Sequence, residues 1–140
     1  MRLFIGLQLR PEEQKALFAS VSALQQKIEA RFVPPELYHI TLAYLGERED
    51  RALDALHGLL ACAAQKAAPF SLLTQNVDYF GSPSNAILYA RIQATEPLWG
   101  LNTALRDLLH ASNEPFDDKP LIPHITVARK ARLLAPIPAL

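Results

Sequence analysis

A lone cysteine, Cys62, is all the thiol this sequence has, which excludes an intramolecular disulfide and a thiolate-built zinc site and points to a reducing, cytoplasmic compartment. Neither charge is in surplus: 14 Lys and Arg balance 14 Asp and Glu. With no global positive field to hold long stretches of nucleic acid, any such substrate must be gripped locally. Long hydrophobic runs are also missing. The opening MRLFIGLQLRPEEQ breaks into charge too early for a signal peptide, and no later stretch approaches the roughly 20 apolar residues of a membrane span. What remains is an ordinary composition, 50% hydrophobic and 20% charged over 140 residues, enough to build a core without metals or disulfides. Eleven prolines fall mostly between periodic segments and punctuate them.

Periodicity sets the elements. Leu3, Ile5, Leu7 and Leu9 alternate with Phe4, Gly6 and Gln8, as in a strand with one buried face. Pro11 starts a helix in which Leu17, Val21, Leu24 and Ile28 form one stripe, ending near Arg31. After Pro34-Pro35, YHITLAYLG reads as a second strand closed by Gly46. A second helix is predicted from about 50 to 66, with Leu53, Leu56, Leu60 and Ala64 inward. Residues 70–77 and 86–93 read as strands joined by the turn-rich GSPSN, and 97–110 as a helix with Leu98, Leu101, Leu105 and Leu108 inward. The loop SNEPFDDKP then leads to a further strand, PHITVAR. Strand-and-helix halves thus recur, and the hairpin around 70–93 favours an antiparallel or mixed sheet in an α+β fold.

Two copies of one motif carry the chemistry. His39-Ile40-Thr41-Leu42 and His124-Ile125-Thr126-Val127 both read H-x-T-x on a strand, where positions i and i+2 share a face. Each copy sets an imidazole and a hydroxyl side by side while Ile and Leu or Val turn to the packing side. With five threonines in the chain, two such coincidences among four histidines would arise on the order of one time in a hundred. Near neutrality one imidazole can be neutral and accept a proton while the other is charged and donates one. Attack of water on a phosphodiester needs both jobs, one proton taken from water and one given to the departing alkoxide. Two hydroxyls can donate to the non-bridging oxygens as charge builds up. No metal or other cofactor is required, and two histidines without a matching Asp, Glu or Cys cluster make a poor zinc site.

The duplicated doublets lie 85 positions apart, in an order of strand, helix and His-bearing strand that occurs twice. In this they resemble the two-histidine (2H) phosphoesterase superfamily. RLFIGLQL, PPELYHITLAYLGE, FGSPSNAILYA and PHITVAR most resemble the bacterial RNA 2′,3′-cyclic phosphodiesterases, also called 2′-5′ RNA ligases, and the resemblance runs over essentially the whole chain. It implies one domain, residues 1–140, of two pseudo-symmetric lobes, each an antiparallel sheet flanked by helices, around a central cleft lined by the His-bearing strands. It implies His39 as proton donor, His124 as proton acceptor, and Thr41 and Thr126 as phosphate ligands. The implied reaction is metal-independent hydrolysis of a terminal 2′,3′-cyclic phosphate, on RNA 3′ ends or small cyclic nucleotides, to a 2′-phosphomonoester. Its reverse is 2′-5′ RNA ligation. No cofactor, membrane or obligate protein partner is implied, and a monomer is expected.

Arg129 matches a basic residue that follows the second motif in the family and is a candidate contact for substrate phosphate or sugar. Simple alternation puts it on the face opposite His124 and Thr126, so it reaches them only through a bend or at a strand end. Tyr89 stands where the family carries an aromatic and is a candidate for base stacking, with core packing as its other role. Phe4 alternates away from Leu3, Ile5 and Leu7 and is a candidate for the cleft. His57 and His110 have no Thr two places on and are assigned to helices, where His110 suits the dipole of a helix end. Cys62 is assigned to packing. Two departures stand out: Leu121 replaces an aromatic frequent in the family, and the sequence stops at LLAPIPAL where members continue, so a shortened second lobe with an uncovered sheet edge is expected. A 2′,5′-phosphodiesterase, another 2H cyclic-nucleotide phosphodiesterase and a catalytically idle RNA-binding module remain alternatives.

Overall fold

The elements run β1 (Arg2–Gln8), α1 (Pro11–Gln25), β2 (Glu29–Phe32), β3 (His39–Glu47), α2 (Leu53–Gln65), β4 (Thr74–Ser82), β5 (Asn85–Ile92), α3 (Glu96–Ala111) and β6 (His124–Arg132). The computed structural model describes all 140 residues, which form an α+β fold gathered into two compact units.

The first unit holds Met1–Gly6, Thr41–Leu72 and Ala94–Ile122. Its sheet pairs β1 with β3. Met1 and Arg48 exchange both backbone hydrogen bonds at 2.8 Å, the mark of an antiparallel ladder. Helices α2 and α3 pack on each other. They bury Leu56, Leu59 and Ala63 from α2 and Leu98, Asn102, Leu105 and Leu109 from α3. The predicted stripes through Leu60 and Ala64 and through Leu101 and Leu108 are therefore rotated by about one position. Both helices carry leucine or alanine on more than one side, so helical period alone does not select the buried face.

Local chemistry fixes the ends of α3. The Thr95 hydroxyl accepts the Leu98 N–H at 3.4 Å, and Pro97 occupies the first turn. At the other end Asn113 adopts φ +54°. Its N–H reaches His110 O at 3.1 Å and that of Glu114 reaches Leu109 O at 2.9 Å, the two bonds of a Schellman cap. The loop that follows is tied to β3. Asp117 N–H donates to Tyr44 O at 2.9 Å. The Arg106 guanidinium donates to Leu42 O (3.2 Å), Lys119 O (2.8 Å) and Asn102 Oδ1 (3.3 Å), and it stands 5.6 Å from the Phe116 ring centroid.

The second unit holds Leu7–Ile40, Leu73–Gln93 and Pro123–Leu140, with a four-stranded sheet in the order β2-β6-β5-β4. Every neighbouring pair in it is antiparallel. The predicted first helix ends six residues early, at Gln25, and the stretch expected to finish it becomes β2. Ile28 continues the apolar stripe and is buried, which hides the break, while β2 exists through pairing with a strand about a hundred residues away. The hairpin strand expected at 70–77 forms instead at Thr74–Ser82, closed on Asn85 through Pro83-Ser84. Gly81 sits there at φ +88°, and a Cβ would lie 3.0 Å from Asn85 O, so only glycine fits. Edge strand β2 covers one side of β6 and β5 the other. Leu17, Val21 and Leu24 of α1, with Ala86, Leu88, Ala90, Val127, Ala128 and Ala131 of the sheet, make the core of this unit.

Arg106→Ala strips three acceptors of a charged donor and leaves the buried Asn102 amide oxygen without that partner. Hydrogen bonds to charged groups contribute about 1.5–3 kcal/mol each at most, so urea denaturation is expected to show a loss of about 3 kcal/mol.

Candidate active site

Register decides which side chains share a face. Tyr89 stands opposite Thr126 and Arg91 opposite His124, while Asp78 stands opposite Tyr89 and Phe80 opposite Ile87. Opposed residues of an antiparallel ladder point to the same side. His124, Thr126, Tyr89, Arg91, Asp78 and Phe80 therefore occupy one face of the four-stranded sheet, and Ile125, Val127, Leu88 and Ala90 the buried one.

A bulge supplies the bend that Arg129 needs to share a face with His124 and Thr126. Tyr89 opposes Thr126 but Leu88 opposes Ala128, so β6 carries one residue more than β5 at this step. Val127 and Ala128 both turn inward, each fully buried, and Arg129 emerges exposed on the side of His124 and Thr126. A second extra residue follows between Ala128 and Ala131, where Lys130 takes φ +53°. Strand β3 repeats the pattern: over HITLAY, as over HITVAR, the order is half-buried, buried, half-buried, buried, buried, exposed.

Aromatic packing orients His124. Phe80 stacks on Tyr89 with centroids 4.1 Å apart and 20° between planes. The His124 ring meets both edge-on, 5.2 Å from Phe80 and 5.4 Å from Tyr89, an arrangement favoured by ring quadrupoles. Tyr89 is only 6% exposed. Burial pushes its phenol above the ordinary tyrosine value, with the Asp78 carboxylate adding to the effect. Asp78 itself receives the Tyr79 backbone N–H at 2.8 Å and Arg91 at 2.6 Å, and these hold its carboxyl below the usual range.

His39 begins β3 and belongs to the same unit as His124. Its Nδ1 lies 2.9 Å from Leu37 O. A carbonyl only accepts, so Nδ1 carries the proton of this hydrogen bond. Thr41, half-buried on β3, and Phe4, 49% exposed on β1, belong to the first unit, where the Phe4 ring lies 6.3 Å from that of Tyr44. His57 and His110 are exposed on helices, Cys62 is half-buried in α2 and Leu121 is buried. No three His, Cys, Asp or Glu side chains gather as a metal-binding group, and no helix is long and apolar enough to cross a membrane. Phe80, Asp78 and Arg91 were not legible as site neighbours, because their proximity to His124 follows from hairpin register; the turn at Pro83-Ser84 was the available signal.

Paired H-x-T strands with one burial pattern, in an α+β fold with two antiparallel sheets, define the two-histidine phosphoesterase class. Within it the match is to a named family: the model of the 2′-5′ RNA ligase superfamily matches residues 11–140, and the chain belongs to that superfamily. Among curated proteins it is 34% identical to an RNA 2′,3′-cyclic phosphodiesterase of Thermus thermophilus, over 93% of this chain and 69% of that protein. It is 32% identical to one of Geobacillus stearothermophilus, over 95% of this chain but only 43% of that protein. A Thermus thermophilus crystal structure superposes with a TM-score of 0.77 at 31% identity, covering all of this chain and 78% of the other.

The carboxyl of Asp78 is depressed in the folded state, so the stability it confers is complete above the unfolded value near 3.9 and is lost as pH falls through the folded value. Between about pH 6 and pH 2, urea midpoints should fall less in Asp78→Asn than in the parent chain. Parallel curves would mean that Asp78 confers no such stability.

Proposed function

We propose that the chain hydrolyses terminal 2′,3′-cyclic phosphates, on RNA 3′ ends or small cyclic nucleotides, to 2′-phosphomonoesters. The observation that carries this reading is the duplicated H-x-T strand with matching exposure in a chain of the 2′-5′ RNA ligase superfamily. In the reaction His124 takes a proton from water as it attacks phosphorus. The bond to the 3′ oxygen breaks, and His39 protonates that oxygen. The hydroxyls of Thr41 and Thr126 donate to the non-bridging oxygens, where negative charge accumulates. Support for the two roles differs. The His39 Nδ1–H bond to Leu37 O fixes that ring with Nε2 as its working nitrogen, and Phe80 and Tyr89 fix the plane of His124. Acid and base both come from imidazole, so the chemistry needs no metal. Microscopic reversibility allows the same groups to join a cyclic-phosphate end to a 5′ hydroxyl, which bulk water disfavours. We place the chain in the cytoplasm, acting as a monomer.

Turnover of a 2′,3′-cyclic nucleotide in the presence of a chelator, with product identified by chromatography, tests this directly. His39→Ala and His124→Ala are each expected to lower kcat/KM by about 10²–10⁴-fold, and the rate is expected to fall on both sides of a pH maximum. Full activity in either variant, or a 3′-phosphate product, overturns the assignment of roles.

A further inference from the structure

Six of the nine arginines in the chain have a hydrogen-bond or ion-pair partner: Arg2, Arg10, Arg48, Arg51, Arg91 and Arg106. The three that have none, Arg31, Arg129 and Arg132, all lie on β2 and β6. Arg31 stands directly opposite Arg129 in the ladder. Like charges so placed weaken a sheet, and no acid offsets them. Glu29 stands opposite Arg132, Asp78 is engaged by Arg91, and Lys130 adds another cation at the bulge. In a chain of zero formal charge, four cations and one carboxylate meet on these two strands.

The bulge after Thr126 turns Arg129 to the face of His124 and Thr126, and Arg31, its opposed partner, shares that face. Arg129 follows Thr126 by about two strand steps, roughly 7 Å along β6, the scale of one nucleotide. Guanidinium groups bind phosphate through paired donors in a fixed plane. We propose that Arg31 and Arg129 form a second phosphate subsite, which holds the phosphodiester one nucleotide to the 5′ side of the reacting terminus. An RNA strand end is then preferred over a mononucleotide. This deepens the cyclic phosphodiesterase reading and rests on it for the position of the terminus.

Binding separates the two ideas. Fluorescence anisotropy with a short single-stranded RNA ending in a 2′-phosphate, competed by a 2′-mononucleotide, is expected to show at least about tenfold preference for the strand in the parent chain. Arg31→Ala and Arg129→Ala should each weaken strand binding about tenfold and reduce the slope of log affinity against log salt by about 0.7–1. Arg31→Lys should keep the slope, and Arg51→Ala, in the other unit, should change neither. Equal affinity for strand and mononucleotide, or an unchanged slope in Arg31→Ala, overturns the subsite. Strand preference without turnover overturns the hydrolase reading and leaves the subsite standing. Turnover with the same kcat/KM on strand and mononucleotide does the reverse.

Discussion

A strand side chain can face only one of two ways, and the placement of functional groups in this chain depends on where that alternation is kept and where it is broken. Through His-Ile-Thr it is kept, so imidazole and hydroxyl stand together above a buried Ile. At the following Val-Ala or Leu-Ala step both residues turn inward. In β6 the register shows the inserted residue that permits this. Without the insertion, Arg129 would point into an apolar core among Ile125, Val127 and Leu88, where an unpaired guanidinium would cost several kcal/mol. The bulge both spares the core a charge and delivers that charge to the histidine face.

Alanine makes the bulge tolerable. Ala86, Ala90, Ala128 and Ala131 are fully buried on the inward side of β5 and β6, and a bulged strand brings two consecutive side chains to one side. Methyl groups fit there where larger ones would overpack. The outward side has the opposite character, with packed rings and an ion pair: Phe80 on Tyr89, His124 against both, Asp78 with Arg91. Each of these groups is constrained by a neighbour across the ladder, so the sheet holds the imidazole through ring contacts and does not depend on a flexible loop.

The doublets were legible because strand period is a local property and each motif spans four residues. The same rule left the face of Arg129 dependent on a bend, since a bulge is visible only in the pairing. The lost end of the first helix has a related cause. Ile28 sits at a helical interval from Leu24 and is buried, yet by burial in an edge-strand turn and not in a helix. Helical stripes 53-56-60-64 and 98-101-105-108 were displaced because leucine- and alanine-rich helices offer two nearly equivalent faces, and packing of α2 on α3 chooses between them. Asp78, Phe80 and Arg91 could not be read as neighbours of His124, nor Arg31 as the partner of Arg129, as nothing local in the sequence encodes a register between strands.

Zero net charge first excluded only a broad nucleic-acid grip. The structure gives that neutrality a distribution: elsewhere most arginines are paired with acids or carbonyls, while β2 and β6 keep theirs unpaired. Paired charges contribute little field beyond about a Debye length, roughly 8 Å at physiological ionic strength. An unpaired cluster beside Thr126 acts over that range, so the attraction for an anion is concentrated on the face of β6 that carries His124 and Thr126. On the proposed reading, a local field of this kind favours the end of a strand over its length, because only an end would place a terminal phosphate at His124 while its neighbouring phosphate meets Arg129.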